Sequence, residues 1–138
     1  MKISKIIVAL LTAIFLSMSL SAVAADLTSL KVSKHSASAK TMRSSILPRT
    51  DIHVVNNSSE PFYVEVPGAG IYDLVAPGEV ADLYSDNYFS SLYIVLTDLT
   101  NFTFYRGYVS NHSTLEITDM VASRSEGEKQ HKLQAVIK

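Results

Sequence analysis

An all-β fold, an antiparallel β-sandwich with immunoglobulin-like architecture and about seven or eight short strands, follows from three features of the sequence. From residue 51 to residue 138, short runs alternate apolar and polar residues, which sets every second side chain on one face of an extended chain. Turn formers separate these runs about every ten residues, the spacing of antiparallel strands in a sandwich or barrel. No apolar stripe of helical period persists over three turns. Strands that bury one face need a second layer, and two packed sheets are the common solution near this size. The chain has no Cys and no Trp, so it lacks the disulfide and core Trp of immunoglobulin domains and shares only their architecture.

In chain order, Asp51-Ile52-His53-Val54-Val55-Asn56 opens the body as a strand with Ile52 and Val54 on one face. Asn57-Ser58-Ser59-Glu60-Pro61 then turns the chain, because Asn tolerates left-handed backbone and Ser and Asn bond to nearby amides. Phe62-Tyr63-Val64-Glu65-Val66 is the cleanest alternation, with Phe62, Val64 and Val66 inward and Tyr63 and Glu65 outward. Pro67-Gly68-Ala69-Gly70 ends that strand, residues 71–75 form a short one, and Pro77-Gly78 turns into a strand over residues 79–84. Ser85 is placed to cap a loop or a single helical turn. Residues 92–97 and 102–109 are rich in β-branched and aromatic side chains around Asp98-Leu99-Thr100-Asn101, and this hairpin is expected at the centre of a sheet. Residues 110–113 turn into a strand from Thr114, and a final long hairpin is expected to return over residues 129–137 about Ser125-Glu126-Gly127-Glu128.

The first 25 residues have the organisation of a secretory signal peptide. A basic start with Lys2 and Lys5 precedes an apolar core over residues 6–16, and a small, polar stretch ends in Ala22-Val23-Ala24-Ala25. The apolar run is too short to span a bilayer. Cleavage after Ala24 or Ala25 and export to the periplasm or beyond are expected, without stable membrane insertion afterwards. Residues 26–50 read as a flexible, Ser-rich basic arm with an edge strand near residues 27–32, and residues 51–138 as the sandwich domain.

From Asp26 onward there are ten Lys or Arg and thirteen Asp or Glu, a net of −3, distributed as about +4 in the arm and −7 in the body. Such an arm either docks on the body or meets an anionic partner. The absence of Cys excludes thiol catalysis, thiolate metal sites and redox switching, and favours a bacterial exported protein whose core must suffice without disulfides.

No catalytic motif stands out. There is no Gly-x-Ser-x-Gly elbow, Gly68-Ala69-Gly70 precedes a strand instead of a phosphate-binding helix, and Glu65, Glu79 and Glu116 occupy outward strand positions. His35, His53, His112 and His131 have no short ligand spacing, although folding could bring His53 to His112. Asp82, Asp86 and Asn87, with Asp73 or Asp98, offer oxygen donors without the alternating calcium-loop pattern. The Asn-x-Ser/Thr triplets at Asn56, Asn57, Asn101 and Asn111 fall where turns are expected. No enzyme activity, metal, cofactor or nucleic-acid partner is expected.

All seven tyrosines fall between residues 63 and 108, and alternation sets Tyr63, Tyr93 and Tyr105 opposite the apolar positions of their strands. Tyrosine combines a large, rigid contact area with a polar tip. The expected site is therefore an outer sheet face carrying Tyr63, Glu65, Tyr93, Tyr105 and Arg106, with a protein or glycan as partner. The other expectation is a structural or assembly subunit of the cell envelope that pairs through an exposed edge strand.

Overall fold

The computed structural model describes residues 27–38, 48–120 and 133–138. Among these, β1 (Lys31–Ser36), β2 (Thr50–Asn56), β5 (Glu79–Ser85), β8 (Thr114–Asp119) and β9 (Leu133–Ile137) form one sheet in the order β1-β5-β2-β8-β9. The other sheet contains β3 (Phe62–Val66), β4 (Ile71–Val75), β6 (Ser91–Asp98) and β7 (Thr103–Ser110), in the order β4-β3-β6-β7. The two sheets pack face to face as a β-sandwich.

Every pair of neighbouring strands is antiparallel except one. Strands β2 and β8 run parallel, from His53 opposite Thr114 to Asn56 opposite Ile117. A parallel pair needs a long crossover between its members. Here the intervening chain builds the whole second sheet and inserts β5 beside β2.

The core follows from the alternation. Ile52 and Val54 of β2, Ala81 and Leu83 of β5, and Leu115 and Ile117 of β8 turn inward from the five-stranded sheet. Phe62, Val64 and Val66 of β3, with Leu92, Ile94 and Leu96 of β6, meet them from the other side. Phe104 packs its ring edge-on against Phe62, with centroids 5.7 Å apart. Completely burying a side chain of this size contributes about 1.5–3 kcal/mol, so this shared interior sets which face of each strand is left for other work.

The crossovers between sheets are held by buried polar groups. Asn56, at the end of β2, donates through Nδ2 to the backbone oxygens of Glu60 and Val75, each at 2.9 Å. Its Oδ1 accepts from the amide and the hydroxyl of Ser58, at 3.0 and 2.6 Å. All four bonding sites of one fully buried amide are used, and the turn into β3 is fixed to the end of β4. The Pro77-Gly78 turn lies against this point. Gly78 has φ +80°, donates its N–H to the oxygen of Asn56 and accepts from Ala37, a backbone conformation that only glycine adopts cheaply.

Two sequence expectations need correction. The edge strand expected near residues 27–32 forms instead at residues 31–36: a 3-10 turn at Leu27–Ser29 leads into β1, whose six residues pair with β5, and Leu30 is buried in the core. The sandwich therefore begins before residue 51, because β5 presents an edge that residues 31–36 satisfy. The β6–β7 hairpin forms as expected but is not central, since β7 is the last strand of its sheet. Its turn is closed by Asp98, whose Oδ1 accepts from the amides of Thr100 and Phe102, and by Asn101 at φ 65°. The leader, residues 39–47 of the arm and the tip of the last hairpin lie outside the described residues, while β8 and β9 pair antiparallel as expected. At Ser85, the side chain accepts from the Asn87 amide within a bend instead of a helical turn.

A tyrosine-bearing sheet face and a histidine–aspartate cluster

The outer face of the four-stranded sheet takes the side chains that the core leaves over. Cross-strand register sets Glu65 between Tyr72 of β4 and Val95 of β6, and Val95 in turn opposite Arg106 of β7. One step along, Tyr63 lies between Leu74 and Thr97. Tyr93 lies opposite Tyr108.

The tyrosines on this face form two pairs. Tyr63 and Tyr72 stack with ring centroids 4.8 Å apart and planes at 13°, while Tyr93 and Tyr108 meet edge-on at 5.1 Å. Each pair contributes about 0.5–1.5 kcal/mol beyond its burial and fixes two rotamers. Tyr72 and Tyr108 are 58% and 70% exposed, and Leu74 and Arg106 are also exposed. Four rings thus stand preorganised around the Glu65–Val95–Arg106 row.

Tyr63, Glu65, Tyr93 and Arg106 fall on this face, but Tyr105 does not. It is paired with Leu96, a fully buried core residue. A Cβ at Gly107, the position opposite core residue Ile94, would come within 3.2 Å of the Tyr105 hydroxyl, so the ring lies along the inner side of β7. Burial pushes the Tyr105 phenol pKa up. The reason is a register irregularity between Leu96 and Thr97: Leu96 pairs with Tyr105, yet Thr97 pairs with Thr103. A bulge breaks simple alternation, and Tyr108 takes the outward place that alternation gives to Tyr105.

No protein-family model matches this chain. Neither a curated protein nor a solved structure matches it at significant similarity.

A second cluster occupies the opposite side of the sandwich, on the outer face of the five-stranded sheet. Asp82 of β5 is directly opposite His53 of β2, and Asp51 lies two residues before His53 on the same face. His53 Nδ1 is 2.5 Å from Asp82 Oδ1, and its Nε2 is 3.6 Å from Asp51 Oδ2. From β1, His35 Nε2 reaches Asp82 Oδ2 at 3.0 Å. His35 Nδ1 meets the backbone oxygen of Ser36 at the same distance. Asp51 and Asp82 are buried although they point away from the core.

Local spacing cannot reveal this cluster, because its members come from three strands and meet only through register. The His53–His112 pairing considered from sequence is not what brings His53 its partners. His112 instead occupies a turn at φ 62°, with its amide donating to the Asp51 backbone oxygen. The oxygen donors considered for calcium are dispersed: Asp73 pairs with Lys34 at 2.9 Å and Asp98 closes its own turn.

Proposed function

We propose that this protein is an exported, non-enzymatic β-sandwich that binds a partner protein or a glycan through the tyrosine-bearing face of the β4-β3-β6-β7 sheet. The observation that carries the reading is the grouping of two tyrosine ring pairs on one face, with Tyr72 and Tyr108 mostly exposed. Aromatic rings already held by each other lose little rotamer freedom on binding, and Arg and Tyr are the residues that most often dominate binding energy. Arg106 and Glu65, on either side of Val95, add opposite charges that fix orientation. A protein partner fits this mixture of rings and charges better than a glycan.

Export is supported by the leader pattern of residues 1–25. No helix among the described residues is long and apolar enough to cross a membrane. Mass spectrometry of the protein recovered from its own cells is expected to give a chain starting at Ala25 or Asp26.

The binding test compares immobilised wild-type protein with Tyr72→Ala and Tyr108→Ala for capture from envelope and culture fractions, and for retention on a glycan array. Each substitution is expected to lower binding at least about tenfold, the loss of one hot-spot side chain. Undiminished capture by both variants sinks the reading, and glycan retention without protein capture reassigns the partner.

A second reading, assembly by edge-strand pairing, is favoured by β7. This strand is eight residues long and lies at the end of its sheet with β6 on one side. The segment from Asp51 to Val55 does not serve that role, since β2 is held between β5 and β8. Sedimentation that shows larger species with rising concentration is the expected sign of pairing.

A further inference from the structure

We infer that Asp51, His53 and Asp82 form a binding site for a divalent transition-metal ion of the zinc type, with His35 as the residue that positions Asp82. One donor atom from each of the three lies within 4.8 Å of the other two. Ligands about 2.0–2.2 Å from a tetrahedral zinc stand roughly 3.3–3.6 Å apart, so small side-chain rotations close the set on an ion.

Three features of the cluster point to a ligand. Strand register fixes the members: Asp82 and His53 are direct cross-strand partners at the middle of the β2–β5 ladder, and Asp51 is their neighbour along β2. Both carboxylates are buried, with 9% and 6% of Asp51 and Asp82 exposed, on a face where polar residues ordinarily meet water. Buried carboxylates carry a large desolvation cost, met by pairing with cations or by coordinating a metal. Finally, imidazole with carboxylates, and no thiolate, is a donor set suited to zinc and its first-row neighbours more than to calcium or magnesium.

His35 completes the arrangement from outside. Its Nε2 holds Asp82 Oδ2 while His53 meets Oδ1, so the carboxylate is oriented from both oxygens. Partners of this kind commonly change metal affinity by about 10- to 100-fold when removed. The contact between His53 Nδ1 and Asp82 Oδ1 marks the place that an ion takes between the two side chains.

The site is on the far side of the sandwich from the tyrosine face, so the two can be tested independently. Protein purified from expression of the full chain, stripped with chelator, is titrated with zinc by calorimetry and by thermal shift. The expected result is one zinc per chain, with affinity at least about tenfold weaker in His53→Ala and Asp82→Asn and about tenfold weaker in His35→Ala, while Tyr108→Ala binds as wild type. Absence of stoichiometric zinc binding, or full affinity in His53→Ala, overturns the assignment. X-ray absorption on the wild-type zinc complex does not depend on any variant folding: nitrogen and oxygen ligands with imidazole scattering support the site, and a shell without imidazole overturns it.

Discussion

Asn56 Nδ2, at the end of β2 in one sheet, donates a 2.9 Å hydrogen bond to the backbone oxygen of Val75, at the end of β4 in the other. Both residues are completely buried. The bond ties the layers where the chain crosses between them, and the same amide also holds Ser58 and Glu60. Asn56→Ala leaves several buried backbone and side-chain groups without a partner. A loss of about 3 kcal/mol is expected, read by urea denaturation as a lower midpoint with an unchanged slope. Asn56→Asp should cost no less at neutral pH, because two carbonyl oxygens then face a carboxylate.

Tyr105 and Tyr108 are three residues apart and should respond oppositely. Tyr105 packs against the core, so Tyr105→Ala is expected to destabilise the fold by about 1–3 kcal/mol, less than a fully buried aromatic would. Tyr108 is mostly exposed, and Tyr108→Ala should shift stability by no more than about 1 kcal/mol, the edge-on contact with Tyr93 being the main loss. Equal melting temperatures for the two variants would contradict the register of β7.

Glu116 on β8 gives a pH signature. The hydrogen bond from Lys138 holds its carboxyl below the usual carboxylate range, with further help from Asn57. A carboxyl whose folded pKa is depressed contributes stability above its unfolded pKa, and that contribution is lost as pH falls through the folded value. Wild type should therefore melt above Glu116→Gln at pH 7, and the gap should close as the pH is lowered below about 4. A gap that widens in acid would reverse the sign of the interaction.

Lys34 and Asp73 link β1 to β4 across the open side of the sandwich, and Lys34 also donates to the Leu74 oxygen. Both side chains are about one-third exposed, so water and salt screen the pair. A double-mutant cycle with Lys34→Met and Asp73→Asn is expected to return a coupling of about 0.2–1 kcal/mol that shrinks in molar salt. A coupling indifferent to salt would show that the pair acts through packing.

Much of the layout was legible because it depends on neighbours in the chain. The period of two in Phe62-Tyr63-Val64-Glu65-Val66 assigned inward and outward residues correctly, and the turn chemistry around residues 57–61, 67–70 and 77–78 located the strand ends. Placement of Tyr63, Glu65 and Tyr93 on one outer face required only that alternation hold within each strand. It failed for Tyr105, where a bulge opposite Leu96 and Thr97 changes the phase by an amount that no local pattern records. Likewise, the weak apolar pattern of the arm points to an edge strand near residues 27–32, whereas the edge of β5 recruits residues 31–36.

The amino-acid sequence by itself determined an all-β body, its approximate strands and the pool of tyrosines, since propensity, alternation and turn formation act over a few residues. Only the tertiary structure decided that β2 runs parallel to β8, that Tyr108 stands where Tyr105 was expected, and that His35, His53, Asp51 and Asp82 converge. These depend on which strands become neighbours and in what register. Burial of one shared core selects that register from interactions spread over the whole chain, and no segment carries it alone.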